Sequence, residues 1–438
     1  MTTERRLERD LPQILGDLAI GPYPDYIDDV LVTTAHRRQR AAWTFPERWL
    51  PMDFVTERVS TPRVPWRALG ALALIALLIA AAVAAYVGSQ ARLPAPFGVA
   101  RNGLVAYAAG GDIYTADPVT GAAKAIVAGP ETDLAPRFSL DGTHIVFERR
   151  GTANGPGLLY VTKWDGSELV PITSEPSTSL DNYAFAPNGH EVLVSTGLGL
   201  LIANTDGSGT RPLDVGALLA SEPDYSAPDG GEIVFVGRTV GSDATGLYVV
   251  RPDGTGLRTI VEPSNLIPVM PRWSPDGSRI AYSAYGADYQ TGGSLLRAYV
   301  VGADGRSNRP LRVIPENDLE NAASWSNDGT RLLIEGCYDD PADDSADCVG
   351  TFSVIPVDGG GPVIEIDLET GLSGAVLAAA SAGTWHVWAP DDRMILTVPL
   401  TGQGLPPSTP LLWDPLTGRS QAWAGAIAGS ASWQRQAP

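Results

Sequence analysis

The sequence predicts an all-β fold, a seven-bladed β-propeller with six blades as the alternative count, preceded by one transmembrane helix and a short, partly helical cytoplasmic tail. Residues after about 100 repeat with the period of a propeller blade, the repeats alternate turn formers with short apolar runs, and one long uncharged segment precedes them. These features divide the chain into a tail (1–65), a membrane helix (66–88), a linker (89–100) and a propeller (101–438). A chain of 438 residues that is 44% hydrophobic and 18% charged can fill a core. Its 48 Gly and 36 Pro are spread along the chain rather than packed into tracts, as many short strands and turns require.

The tail holds two amphipathic helical candidates, 3–18 and 26–40. The second has Asp25, Asp28 and Asp29 at its start and Arg37, Arg38 and Arg40 at its end, which complement the helix dipole. In the following WTFPERWLPMDF, Trp43, Phe45, Trp49 and Phe54 have no domain of their own to bury them. They are candidates either for lying on the bilayer surface or for docking on a protein partner, with neither reading preferred.

The segment 68–87 is apolar and uncharged, with Trp66 and Tyr86 at its ends. At about 1.5 Å per residue it reaches about 30 Å, the thickness of a bilayer core, and it starts too late and runs too long for a cleaved signal peptide. Arg58, Arg63 and Arg67 precede it closely and only Arg92 follows closely, so the N-terminus is expected inside the cell and the propeller outside. Acidic and basic residues balance over 1–67, so the net charge of −19 belongs to the part after the span. Such a surface repels nucleic acid, and no nucleic-acid partner is expected.

Within the propeller, one half-repeat places an aromatic residue ahead of a short turn and an apolar strand: PRFSLDGTHIVFE, YAFAPNGHEVLVS, PDYSAPDGGEIVFV, PRWSPDGSRIAYS, ASWSNDGTRLLIE and HVWAPDDRMILTV, with Phe138, Phe185, Tyr225, Trp273, Trp325 and Trp388 as the aromatics. The other half is a strand ending in a turn that begins at Asp117, Asp165, Asp206, Asp253, Asp304, Asp358 or Asp414. Asp bonds to the backbone two residues on, and Gly reaches positive φ freely, so each Asp-Gly closes a hairpin. Runs such as IVF, VLV and IAY are too short for helices and rich in β-branched and aromatic residues. A blade cannot bury both faces alone, so blades stack, with the recurring aromatic between neighbours. Ser430 to Arg435 reads as the start of a half-repeat whose continuation, Asn102 to Ala109, lies at the other end, so the two are expected to pair in one blade. The irregular stretch from Val363 to Ala389 keeps six blades open as the alternative.

These halves resemble the PD40, or WD40-like, repeats of TolB-type propellers over roughly residues 100–438. The resemblance implies a platform that binds a protein or ligand, although the separate N-terminal domain of that family is replaced here by the expected anchor. The propeller is also similar to the non-catalytic domain of prolyl oligopeptidase-type enzymes. No G-x-S-x-G elbow occurs, and no segment remains to build a hydrolase domain. The chain is therefore expected not to be an enzyme, and no catalytic residue is assigned. His36 lies in the tail; His144, His190 and His386 read as surface or turn residues, with His144 and His190 in equivalent sites of different blades.

Cys337 and Cys348 bracket CYDDPADDSADC between two expected strands. In an oxidising compartment they favour a disulfide, with two free thiols as the alternative. Asp339, Asp340, Asp343, Asp344 and Asp347 inside that loop offer oxygen ligands for calcium, but they lack the Gly and Glu of a calcium loop, and a solvated acidic excursion is preferred. No other cofactor is expected. A tail, one span and an outer domain resemble the layout of transmembrane anti-sigma factors, without the zinc-bearing motif since the tail has no Cys. The expected role is a single-pass, membrane-anchored extracytoplasmic binding module in signal sensing. A static cell-envelope scaffold and an enzyme using the propeller channel are the competing readings.

Overall fold

A computed structural model describes residues 74–77 and 98–437, apart from 153–154, 178–181, 198, 265, 287–295, 313–318, 339–348, 366–383, 400–409, 424–426 and 428–429. Trp43, Phe45, Trp49 and Phe54 lie outside the described residues, as does the expected span except for 74–77, which are helical and exposed. No helix among the described residues is long and apolar enough to cross a membrane.

Residues 101–436 build seven sheets of four antiparallel strands. Blades 2 to 7 each use four consecutive strands, within 132–171, 183–212, 218–264, 266–310, 319–365 and 384–422. Blade 1 is composite. Its inner strand, Ala431–Gln436, pairs with Arg101–Ala109, Ala431 opposite Tyr107 and Gln436 opposite Arg101, and Asp112–Ala116 and Ala123–Val127 complete the sheet. This is the closure expected from the two fragments. The count is seven, because the irregular region supplies Thr384–Trp388, which pairs with Ile395–Pro399 as the inner strand of blade 7.

Each main hydrophobic cluster joins neighbouring blades. Trp273 of blade 5 packs with Val234, Leu247 and Val249 of blade 4; Trp325 of blade 6 packs with Ala281 and Val300 of blade 5; Trp433 of blade 1 packs with Leu396 and Leu412 of blade 7. The aromatic ahead of each turn is thus a wedge between blades, and all seven, Phe138 through Trp433, are 8% exposed or less. Burying one large apolar side chain in this way contributes about 1.5–3 kcal/mol.

In a four-stranded meander around an axis, the first and third connections of every blade share one face. All the Asp-Gly turns are of these two kinds, so they gather on that face. Ser278 N donates to Asp276 Oδ1 at 3.0 Å, Thr330 N to Asp328 Oδ1 at 3.0 Å, and Thr255 N to Asp253 Oδ1 at 2.9 Å, the expected bond two residues on. The glycines do more than permit a positive φ. A Cβ on Gly277 (φ +70) would sit 2.1 Å from Ala227 O of blade 4, and one on Gly142 would sit 2.1 Å from Arg435 O of blade 1. Each of these turns therefore lies against the preceding blade, where only a residue without a side chain fits.

The seam of the ring departs from this pattern. In blade 7 Asp392 occupies the glycine position at φ 58, and in blade 6 Asn327 stands where Pro187, Pro275 and Pro390 stand in other turns. The two departures fit each other. Asn327 N and Nδ2 donate to Asp392 Oδ1 at 2.7 and 2.8 Å, and Asp328 N donates to Oδ2 at 2.8 Å. Arg435 of blade 1 donates from Nη1 to Asn327 Oδ1 at 2.7 Å, so one hydrogen-bonded cluster ties blades 6, 7 and 1. Burial pushes the Asp392 carboxyl above its ordinary range, against the pull of the Asn327 side chain and the two backbone N–H groups.

Candidate ligand site in the axial channel

The residue just before each inter-blade aromatic belongs to a ring around the axis: Arg137, Ala184, Asp224, Arg272, Ser324, Val387 and Ser432. Five of them, Arg137, Ala184, Asp224, Val387 and Ser432, line a cavity of about 300 Å³, together with Leu140, Phe185 and their neighbours. Charge is confined to blades 2, 4 and 5. The inner strands of these same three blades carry a non-glycine residue at positive φ followed by proline: Ala135 (φ 51) before Pro136, Glu222 (φ 51) before Pro223, and Met270 (φ 52) before Pro271. At each, the ladder to the second strand shifts register, between Leu134 and Arg137, Ser221 and Asp224, and Val269 and Arg272. A bulge of this kind bends the strand and re-aims the side chain that follows. A left-handed residue with a Cβ costs about 1–2 kcal/mol, so three at equivalent places store strain around the channel.

The backbone groups displaced by the bulges find partners on the neighbouring blade. Met270 N donates to the Glu222 carboxylate, Trp273 N to Asp224 Oδ2 at 2.8 Å, and Phe138 N to Ser432 Oγ at 2.9 Å. Arg137 Nη1 donates to Tyr183 O at 2.8 Å with its guanidinium 4.9 Å from the Tyr183 ring, and the Tyr183 hydroxyl donates to Ala135 O. Burial pushes the Asp224 carboxyl above its ordinary range, against Arg272, the Trp273 N–H and Arg137. Burial lowers the Arg137 guanidinium, with Tyr183 and Asp224 opposing and Arg272 adding to the shift. Arg272 thus acts on both groups, yet its hydrogen bond is to its own Pro271 O at 2.9 Å and it closes no ion pair among the described residues.

The ring was not foreseen from the sequence, although a signal was there. Pro-Arg-Phe, Pro-Asp-Tyr and Pro-Arg-Trp precede the turns of blades 2, 4 and 5, whereas the other blades have no proline at that place.

The histidines correct two expectations. His386 is neither a surface nor a turn residue: its side chain is 1% exposed, on the inner strand of blade 7. Its Nε2 lies 3.2 Å from Glu335 Oε1 and its Nδ1 lies 2.8 Å from Thr397 Oγ1. A carboxylate only accepts, so Nε2 carries a proton and, in the neutral ring, Nδ1 accepts from the threonine. Hydroxyl, imidazole and carboxylate stand in the order of a nucleophile relay, but Thr397 is 1% exposed and its oxygen also accepts from Trp413 Nε1 at 3.1 Å. A substrate has no access to it. His144 and His190 are not equivalent but one position apart. His190 N bonds to Asn188 Oδ1 as Thr143 N does to Asp141, whereas His144 N bonds to Ser139 Oγ as Arg279 N does to Ser274.

Cys348, Asp339, Asp340, Asp343, Asp344 and Asp347 lie outside the described residues. Of Cys337 only the backbone is described, paired with Leu319 and Gly350. No group of three or more His, Cys, Asp or Glu that could hold a metal ion occurs among the described residues.

No protein-family model matches the sequence, and no curated protein matches it. Solved structures do. An oligogalacturonate lyase from Vibrio parahaemolyticus is similar over 74% of this chain and 85% of its own, with 10% identity and a TM-score of 0.51. A prolyl endopeptidase is similar over 75% of this chain and 50% of its own, with 15% identity and a TM-score of 0.52. TolB from Acinetobacter baumannii is similar over 76% of this chain and 66% of its own, with 13% identity and a TM-score of 0.42. The first two likenesses show the propeller fold and, at such identities, the fold alone.

Proposed function

We propose that the chain is a membrane-anchored recognition module. Segment 68–87 would be the anchor, 1–65 a cytoplasmic tail, and the propeller an extracytoplasmic sensor for a protein or small ligand. The observation that carries the binding reading is the coincidence of charge and strain in the channel: Ala135, Glu222 and Met270 are held left-handed in the very blades that present Arg137, Asp224 and Arg272. Strain of this kind clusters where a function needs the geometry, and a cavity where several blades converge is the ordinary place for a ligand. Support for the anchor is the uncharged segment with its flanking aromatics and arginines. Support for signalling is the layout of tail, span and outer domain.

The test is an affinity pull-down of the full-length protein from its own detergent-solubilised membranes, beside a form lacking 1–65, read by mass spectrometry. A transcription regulator captured only with the tail supports transmembrane signalling. An unchanged set of envelope proteins would instead make the chain a static scaffold, and turnover of a glycan or peptide by the purified protein would replace recognition by catalysis.

A further inference from the structure

We propose that the axial ring takes a ligand bearing both a carboxylate and an ammonium group, of the amino-acid or short-peptide class, its carboxylate on Arg272 and its ammonium on Asp224. This rests on the recognition reading above and names the ligand class for that site. Asp224 and Arg272 stand on the inner strands of adjacent blades, close enough for the arginine to act on the carboxyl, yet they form no ion pair among the described residues; there the Arg272 side chain bonds to its own Pro271 carbonyl, and Asp224 accepts from the Trp273 N–H. An opposite pair that feels its partner without closing on it leaves room for a ligand that bridges the two. The ring sets Arg137 and Arg272 against Asp224, and the Glu222 carboxylate two residues before Asp224 accepts from Met270 N. A purely anionic ligand attracted to the arginines is repelled by the carboxylates, and a cation meets the reverse; a ligand with both signs satisfies both. Asp224 lines a cavity of about 300 Å³, room for a molecule of dipeptide size, and the bond from Trp273 N to Asp224 Oδ2 sets the neighbouring Arg272 beside that carboxylate. The bulges fix the charged positions before the ligand arrives, which lowers the ordering cost of binding.

The experiment is calorimetric titration of the full-length protein in detergent with three probes: glycylglycine, N-acetylglycylglycine, which lacks the ammonium, and glycylglycinamide, which lacks the carboxylate. Glycylglycine is expected to bind, with each blocked probe about tenfold weaker or more. Arg272→Gln should weaken glycylglycine to the level of the amide, and Asp224→Asn should weaken it to the level of the acetylated form. Arg272→Gln should still fold and melt cooperatively, since among the described residues that side chain hydrogen-bonds to its own backbone, so the test stands even if Asp224→Asn fails to fold. Absence of glycylglycine binding, or equal binding of the acetylated probe, overturns the inference. If the pull-down still captures a partner, the recognition reading survives that failure.

Discussion

On one face of the propeller the described connections are nearly uniform in length, the shortest running 139–143 and the longest 251–257. At the other ends of the strands, the spacing from one described strand to the next varies from Ser264 and Leu266, with one residue between them, to Glu365 and Thr384. The first face is a ring of turns in contact, where glycines such as Gly277 and Gly142 lie against carbonyls of the preceding blade. An added residue there would push two blades apart. At the opposite mouth, carboxylates on the inner strands are neutralised within the wall, Asp133 by Arg149 through two bonds of 2.7 Å and Glu320 by Arg312. With those charges already paired, the connections on that side are free to vary in length. The turn side is held by contact between blades, and the variable side is the one on which connections can change without loss of the fold.

The sharpest way to break the comparison is the same substitution on both faces. Gly241, in the connection 240–244 on the variable side, has φ +80 and nothing within 4 Å of a Cβ, whereas Gly277 has φ +70 and the Ala227 carbonyl at 2.1 Å. Gly241→Ala should cost about 1–2 kcal/mol for backbone alone, and Gly277→Ala about 2 kcal/mol more because the neighbouring turn must move. Chemical denaturation of both variants measures the difference, and equal costs would mean that the turns do not brace one another.

A smaller effect is expected at the seam. Asp392→Ala removes three hydrogen bonds and keeps the left-handed backbone, for a loss of about 2 kcal/mol. In a double-mutant cycle with Asn327→Ala the coupling should be about 1–2 kcal/mol. Restoring both repeat residues, as Asp392→Gly with Asn327→Pro, should be better tolerated than either change alone. Simple additivity in the cycle would show that the two departures arose independently.

The least effect per site comes from acid. The carboxyls of Asp165, Asp206 and Asp253 lie below their ordinary value of 3.8, because the hydroxyls of Ser167, Ser208 and Thr255, and then the backbone N–H groups, bond to the ionised form. As the pH falls through the interval between the ordinary and the lowered value, the unfolded chain binds more protons than the folded one. The stabilisation is full above about pH 4 and drains away below it. Melting temperatures measured from about pH 7 to pH 3 should fall at the acid end, and a flat profile would show that these bonds do not favour the folded state.

How much of this was legible depends on how local the cause is. The Asp-to-backbone bond spans two residues, so the turns at Asp165, Asp253 and Asp276 could be read from the chain itself, and the aromatic spacing followed from their period. The closure of Ala431–Gln436 on Arg101–Ala109 was legible because each fragment is half of a repeated unit. The second role of Gly277 was not, because its neighbour is a turn some fifty residues away and appears only when blades stack. The channel charges escaped for a similar reason. A proline before Arg137, Asp224 or Arg272 is visible, but the bulge it accompanies exists only relative to a paired strand. His386 was misplaced because proximity to a turn in sequence says nothing about which side of an inner strand faces the next blade.

The composite blade sets the order in which the molecule can be finished. Among the described strands, Arg101–Ala109 leaves the ribosome first and Ala431–Gln436 last. In the interval, the edge of blade 1 has no partner and the apolar side of blade 7, with Leu396, Leu412 and Trp423, has no neighbour. An exposed edge and an uncovered core are the features that draw nascent chains into aggregates. A product that stops between residues 423 and 431 would keep both, so closing the circle is a step that only a chain carrying Ala431–Gln436 can take.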